Sequence, residues 1–300
     1  MTRARVRAGL LSALLLAGCA GAPPPAVPGP VSDQRLDQTR HAAALAFSRR
    51  DYEQAVRLYG QALELAQSRD DGEAMGDLGY DLALAHLRQG DVQASLAASA
   101  AARAELRRHA RPVFPELALV EAVAWQRAGR SDAAEAAASG LAGPGIAGDP
   151  VARRARFLLG LIAAERGDRA GLAAHRAALP DTVQSEWRAD IAELEARSAA
   201  LAKAHQAARD RFLAAADLRR DTLDYPGLAR ALAGGAASAL AGGDRRAAAD
   251  LYLRAGRSLL LAGGGTAQAE DWLAAAERLA REAGDDGLRA EAAGLRGRVR

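Results

Sequence analysis

The feature that most constrains the fold of this chain is a short turn signal that recurs at a nearly constant interval. Successive signals lie 40, 39, 38 and 76 residues apart, and the last interval is twice 38. Segments with the apolar periodicity of an α-helix flank each signal. Repetition at this length indicates a helical hairpin that is copied along the chain and stacked into an array. The signals are Arg50-Asp51, Gly90-Asp91, Gly129-Arg130, Gly167-Asp168 and Gly243-Asp244.

The segment after the first turn has a small residue, an aromatic residue four positions later and alanine three positions after that, at Ala55, Tyr59 and Ala62. These positions share one helix face, where small residues let the helices of a hairpin touch. The pattern resembles the second helix of a tetratricopeptide repeat. The resemblance implies an all-α, right-handed solenoid of stacked antiparallel helix hairpins. The pattern recurs at Ala208, Phe212 and Ala215, at Ala248, Tyr252 and Ala255, and more weakly at Ala269, Leu273 and Ala276.

The repeat pattern covers residues 36–283, and residues 284–300 are expected to form a polar capping helix and tail. The period exceeds the 34 residues of a tetratricopeptide repeat, so we expect the extra residues in loops. From Val183 to Arg219 no turn signal interrupts the helical pattern, which leaves one long helix or a repeat hairpin open. The candidate loops are Ser68–Gly76, Ala110–Pro115, Leu141–Pro150 and Pro180–Thr182.

Residues 1–18 have the composition of a secretory signal peptide, with three arginines before an apolar stretch that is too short to span a bilayer. The segment leads into Leu16-Ala17-Gly18-Cys19, which resembles the lipobox of bacterial lipoproteins. The resemblance implies cleavage between Gly18 and Cys19 and attachment of lipid, palmitate included, to the Cys19 thiol. Two acyl chains suffice for stable attachment to a membrane.

Residues 19–35 form a linker with five prolines between Pro23 and Pro30. Such a segment favours extended polyproline II structure and acts as a semi-rigid stalk. In the lipoprotein family an aspartate after the lipidated cysteine retains the protein in the inner membrane. Ala20 at this position implies the periplasmic face of the outer membrane.

Charge and composition exclude several function classes. The formal net charge is +3, but the three arginines of the signal peptide account for it, and the remaining basic and acidic residues balance at 37 each. The basic balance therefore does not indicate nucleic-acid binding. Alanine is the commonest residue, and valine, isoleucine and threonine are scarce, which favours helices over sheet.

No motif for catalysis or metal binding is present in the sequence. None of the five histidines has a second histidine or a cysteine three or four residues away. Residues 143–148 match the spacing of a dinucleotide-binding loop, but no strand precedes them, and Asp149 is expected to cap the next helix. Glu193 and Glu195 fit a solvated helix face. We expect no enzyme activity, no small-molecule substrate and no cofactor beyond the lipid on Cys19.

In the tetratricopeptide family the first helix of each pair lines a concave groove that binds partners. The carboxylate clamp of that family uses lysine and asparagine, whereas this chain has Arg40 and Ala44 where the clamp would begin, so no clamp is predicted. Alignment of the repeats places eight residues in the groove: Tyr80, Arg88, Glu116, Gln126, Arg127, Arg154, Phe157 and Glu165.

Three functions are compatible with these features. The first is a lipid-anchored scaffold that binds proteins or peptides of the bacterial cell envelope. The second is a helical superhelix lipoprotein associated with peptidoglycan, which the lack of a following catalytic domain disfavours. The third is a structural homo-oligomer that associates through a free face of the solenoid.

Overall fold

The computed structural model describes residues 33–143, 149–181, 183–263 and 266–298, and its helical body begins at Gln34. The predicted signal peptide, Cys19 and almost all of the linker lie outside the described residues, as do residues 144–148 of the glycine-rich loop. The described residues form helices and no strands, as predicted. None of the described helices is both long and apolar enough to cross a membrane.

Fourteen helices follow one another along the described chain and pair into seven antiparallel hairpins, α1 with α2 through α13 with α14. Each helix packs against its neighbours in the chain, so the hairpins form a stacked array. The predicted all-α solenoid is therefore confirmed. The helices are α1 Gln34–Ser48, α2 Tyr52–Ser68, α3 Gly72–Gln89, α4 Val92–Arg108, α5 Pro115–Arg127, α6 Ser131–Ser139, α7 Pro150–Glu165, α8 Arg169–Ala177, α9 Ser185–Leu201, α10 His205–Asp221, α11 Tyr225–Ala241, α12 Arg245–Leu261, α13 Thr266–Glu282 and α14 Asp286–Arg296.

Most turns between helices share one local structure. A residue with left-handed φ ends the first helix, and an aspartate directly after it caps the next one. The aspartate side chain accepts a hydrogen bond from the backbone N–H three residues later, which satisfies one of the free donors of the new helix. This pair of residues occurs at Arg50-Asp51, Asp70-Asp71, Gly90-Asp91, Gly167-Asp168, Leu223-Asp224, Gly243-Asp244 and Gly284-Asp285.

The stretch from Val183 to Arg219 is a hairpin, not one long helix. Helix α9 ends at Leu201 and α10 begins at His205, and Lys203 between them has a φ of 61°. The left-handed conformation costs a residue with a side chain about 1–2 kcal/mol. Because lysine does not normally adopt it, the sequence gives no turn signal there. The packing of α9 against α10 outweighs this cost.

The long repeat period comes mainly from long helices, which corrects the prediction of long loops. The four helices α9 to α12 each have 17 residues, and three residues separate each of them from the next within this set. The predicted loop Ser68–Gly76 is also mostly helical, because α3 begins at Gly72. Longer connections do occur at 109–114, 140–149 and 178–184, the last two after the short helices α6 and α8.

The small residues of the repeat pattern bring helix backbones together. Ala55 and Ala62 are fully buried, and Tyr59 between them is 5% exposed. In the α3–α4 hairpin glycines take this role, and a methyl group added at Gly79 would lie 2.6 Å from Cβ of Ala102. Since the backbone of α4 itself is only 3.2 Å away there, the two helices have no room for a larger residue.

The first hairpin also contacts the late repeats. The Arg50 guanidinium lies 4.2 Å from the ring centre of Tyr225 and donates a hydrogen bond of 3.4 Å to the carbonyl oxygen of Leu223. The backbone of the same turn borders Gly263, between α12 and α13. The turn between α1 and α2 therefore contacts the turns that precede α11 and α13, so the first hairpin lies next to the sixth and seventh.

The close approach of α3 and α4 can be tested by comparing a glycine at the helix contact, Gly79, with a glycine that has open space around it, Gly60. Gly79→Ala should lower the free energy of unfolding by about 1–3 kcal/mol, because the new methyl group overlaps Ala102. Gly60→Ala in α2 should raise it by up to about 1 kcal/mol, because nothing lies within 4 Å of the added group and alanine favours the helix. Urea unfolding followed by circular dichroism measures both, and changes of the same sign would contradict the packing.

Candidate functional site: the inner wall of the solenoid

From α3 to α11 the odd-numbered helices form the inner layer of the array. Each odd helix from α3 to α9 packs against its hairpin partner and also against the next odd helix. Among the even helices of the described chain, the clearest packing of one even helix against the next is between α12 and α14. Helices in one layer approach each other most closely on the inside of a curve. We call the inward surface of these helices the inner wall. Its residues include Tyr80, Arg88, Gln126, Arg127, Arg154, Glu165 and Arg230, whereas Asp190 and Glu193 of the same helices are buried.

Polar side chains on the inner wall connect successive repeats. Gln126 of α5 donates a hydrogen bond of 2.8 Å to Glu165 of α7, and Arg127 of α5 donates one of 2.7 Å to the backbone carbonyl of Leu87 in α3. Arg154 of α7 binds Asp190 of α9 at 2.9 Å and also pairs with Glu186. The partners are 32–40 residues apart in the sequence, close to one repeat period.

The other predicted groove residues differ in how open they are. Arg88 and Glu116 are exposed, and Tyr80 is half-buried with its ring packed edge-on against Phe114 at 5.6 Å. The prediction that Phe157 lines the groove needs correction, because this ring is only 6% exposed. It lies beneath the guanidinium groups of two arginines from α10 and α11, each 5.5 Å from the ring centre, and so supports them from below.

The inner wall ends in a buried ion network that the sequence did not predict. Glu193 was expected on a solvated face, but it is fully buried, and Arg219 of α10 is 1% exposed. Arg219 binds both Asp190 and Glu193 at 2.8 Å, and Arg230 of α11 binds Glu193 through two hydrogen bonds of 2.8 and 2.9 Å. The placement of Glu193 on a solvated face is therefore wrong. Glu195, by contrast, is half-buried and pairs with Arg176 at 2.8 Å.

The two buried carboxylates of α9 respond differently to the same network. Burial raises the pKa of Asp190, and its two arginine partners only partly oppose that effect. Burial also acts to raise the pKa of Glu193, but Arg230 and Arg219 outweigh it and hold this pKa well below its usual range. Glu193 differs because a third guanidinium, that of Arg197, also binds it at 3.2 Å.

Opposite charges balance within this network, which makes its burial tolerable. Three helices besides α9 contribute to it, so it joins the fourth, fifth and sixth hairpins. The sequence contains one signal that could have predicted this network: oppositely charged residues separated by about one repeat period. The members are the arginines Arg154, Arg197, Arg219 and Arg230 and the carboxylates Glu186, Asp190, Glu193 and Asp224.

Arg88 and Arg127 do not belong to the buried ion network. The Arg127 side chain reaches solvent, and partial desolvation together with the positive charges of Arg88 and Arg230 lowers its pKa to about 10. The negative charge of Asp224 acts against that shift.

Within the described ranges, no group of three or more histidine, cysteine, aspartate or glutamate side chains could hold a metal ion. Asp149 caps α7 as predicted, with its side chain accepting from the N–H of Val151, and Pro150 is the first residue of that helix. The glycine-rich segment therefore connects two helices.

The buried network leads to a stability prediction with a matched control. Glu193→Gln should lower the free energy of unfolding at pH 7 by about 3–5 kcal/mol, because three guanidinium groups lose their shared counter-charge. Glu195→Gln, two residues away, should change it by about 1 kcal/mol or less, because its ion pair is solvated. Chemical unfolding measures both, and equal effects would contradict the role of the network.

The sign of the pH dependence follows from the lowered pKa of Glu193. Its stabilising contribution is complete above the pKa of a glutamate in the unfolded chain and is lost as the pH falls through the lower pKa of the folded state. The loss of stability on acidification should therefore be smaller in Glu193→Gln than in the unaltered protein.

The sequence matches no family model and no curated protein. Among solved structures, the chain is similar to a tetratricopeptide repeat protein from Parabacteroides merdae, with 14% identity, a TM-score of 0.50 and coverage of 86% of this chain and 99% of that chain. It also aligns with the TPR2AB domain of yeast Sti1 in complex with pHSP90, at 15% identity, a TM-score of 0.36 and coverage of 89% and 99%. For yeast Tom70 the values are 14%, 0.34, 89% and 62%. The first similarity concerns the fold alone, and it shows that the chain is a tetratricopeptide-like helical solenoid.

Proposed function

We propose that this protein is a lipid-anchored scaffold of the bacterial cell envelope that binds segments of partner proteins on the inner wall of its solenoid. The observation that carries the anchor is the position of Cys19. It is the single cysteine of the chain, and it follows Leu16-Ala17-Gly18 directly after a signal-like segment. Ala20 supports the periplasmic face of the outer membrane as the location.

The inner wall supports the binding part of the proposal. It presents exposed charged groups, such as Arg88 and Glu116, beside side chains that are fixed by contacts between repeats. Fixed and accessible polar groups suit the recognition of a peptide, because few side chains need to be ordered when the partner binds. The alternation of arginine, glutamate and tyrosine along this wall suits a protein segment better than a small apolar molecule, and we propose no enzyme activity.

The anchor is tested by Cys19→Ser in the bacterial host. The altered protein should lose its lipid and leave the outer-membrane fraction, because serine does not supply the thiol that carries the acyl chains. Gly21→Ser, two residues further on, is the control and should remain in the membrane. Fractionation and mass spectrometry of the amino-terminal peptide give the result, and unchanged membrane attachment of Cys19→Ser would contradict the anchor.

Partner binding is tested by photo-crosslinking in living cells. A crosslinking amino acid at Glu116, exposed on α5 of the inner wall, should capture defined envelope proteins in the outer membrane. The same group at Arg107, exposed on α4 of the outer layer, is the control and should capture fewer. Crosslinks only to a second copy of the chain, or only to peptidoglycan fragments, would instead support the oligomer or the peptidoglycan alternative.

A further inference from the structure

The contact between the first hairpin and the late repeats depends mainly on one residue. The Arg50 guanidinium lies over the Tyr225 ring, 4.2 Å from its centre, and donates a hydrogen bond of 3.4 Å to the carbonyl oxygen of Leu223, 173 residues further along the chain. The carbonyl oxygen of Arg50 lies 3.6 Å from the position that a Cβ atom would take at Gly263. We call these contacts the Arg50 seam.

Arg50 occupies a backbone position that most equivalent turns give to glycine. It follows α1 with a φ of 65°, whereas glycine has the left-handed φ in the turns after α3, α5, α7, α11 and α13. An arginine is strained in this conformation, because its Cβ atom crowds the following carbonyl oxygen. Such strain persists where surrounding contacts hold the residue in place. Here the side chain that a glycine would lack is the one that reaches Tyr225.

The two sides of the seam differ in how firmly they are held. Tyr225 is the first residue of α11, and Asp224 before it caps that helix and binds the buried Arg219 at 2.7 Å. This side is therefore fixed to the buried ion network. The first hairpin, in contrast, is the end of the described array, and among the described helices outside it only α3 packs extensively against it. It can therefore rotate about that one interface while the other side of the seam stays in place.

The seam lacks the packing that joins neighbouring hairpins. Extensive packing in the described array occurs only between helices that are at most two positions apart in chain order. Leu223 within the seam is 61% exposed, and Leu45 and Leu261 beside it in the sequence are 43% and 74% exposed. A permanent interface would bury such apolar side chains, because their removal from water is favourable. Few contacts therefore have to break when the seam opens.

The closed seam makes a loop out of the middle of the chain. The polypeptide runs from Arg50 through α2–α10 to Tyr225, and the seam joins the two ends of this stretch. Helices α3, α5, α7 and α9, which carry most of the inner wall, belong to it. A partner segment that has a folded domain at each end cannot thread into a closed loop. Such a segment reaches the inner wall only when the seam is open.

We propose that the Arg50 seam opens and closes, and that its open state admits an internal segment of a partner protein to the inner wall. This inference rests on the proposed function, since it specifies how a partner reaches the proposed binding surface. The opening itself involves only contacts within this chain, so it can be measured without a partner.

The opening is tested by the distance between two spin labels on the full-length lipidated protein in detergent. The labels are attached through Gln61→Cys, exposed on α2, and Asp221→Cys, exposed at the end of α10. Cys19 is the single cysteine of the natural chain and is blocked by lipid in the proposed form, so the introduced thiols react alone. Double electron–electron resonance should show a short distance for the closed seam.

Arg50→Gly is the decisive variant, because it removes the side chain of the seam and leaves in the turn the residue that five other turns use. The ratio of closed to open molecules should fall about two- to fivefold, the usual effect of losing one exposed cation–π contact. Lys203→Gly is the matched control. Lys203 is also a basic residue with left-handed φ between the helices of a hairpin, but its side chain makes no hydrogen bond or ion pair within the described chain. It should leave the distances unchanged.

Access to the inner wall is tested with Gln126→Cys on α5 as the single free thiol. Its rate of reaction with a maleimide coupled to a small folded protein is divided by its rate with N-ethylmaleimide, which enters a closed loop freely. Arg50→Gly should raise this ratio about two- to fivefold, in proportion to the open population, and Lys203→Gly should not change it.

An unchanged distance distribution in Arg50→Gly, or equal changes in Arg50→Gly and Lys203→Gly, would overturn the opening of the seam. A longer distance with an unchanged ratio of reaction rates would overturn its role in access. If Cys19 itself reacts with maleimide, the anchor of the proposed function fails, and the seam is then measured in the Cys19→Ser background. If the seam opens but a crosslinker at Glu116 captures no protein, the scaffold falls and the opening stands.

Discussion

Close approach of helix backbones is the constraint on which the rest of this structure depends. Alanine and glycine at the helix crossings, such as Ala55 on α2 and Gly79 on α3, leave no side chain that would hold the helices apart. Helices at that distance gain extensive van der Waals contact, which compensates for a core with few aromatic residues. The regular spacing of hairpins, and therefore the register of groups on the inner wall, follows from these contacts.

Register explains why polar groups meet across repeats. When equivalent helices stack at a fixed spacing, residues one period apart come side by side, as Gln126 and Glu165 do. Arg230 reaches Glu193 in the same way, 37 residues before it in the chain. Each such contact ties one hairpin to the next and limits the relative rotation of the repeats. The buried network around Arg219 extends this principle into the interior, where unpaired charge would be strongly destabilising.

The inner wall combines two kinds of charge with different consequences. The balanced network around Glu193 is inaccessible, so it contributes to the rigidity of the solenoid and not to binding. Arg88 and Glu116 are exposed, so they remain accessible to a ligand. The contact of Arg50 with Tyr225 joins the first and sixth hairpins.

The sequence by itself determined the all-α class, the repeat and most turns. These features depend on single residues and their near neighbours, such as an aspartate that caps its own helix at Asp51. Only the tertiary structure decided that Lys203 ends a helix without glycine, that Glu193 is buried and that Phe157 lies beneath two arginines. The physical reason is that burial and charge pairing depend on the faces of other helices, whose distance and rotation are set by packing across repeats and not by the local sequence.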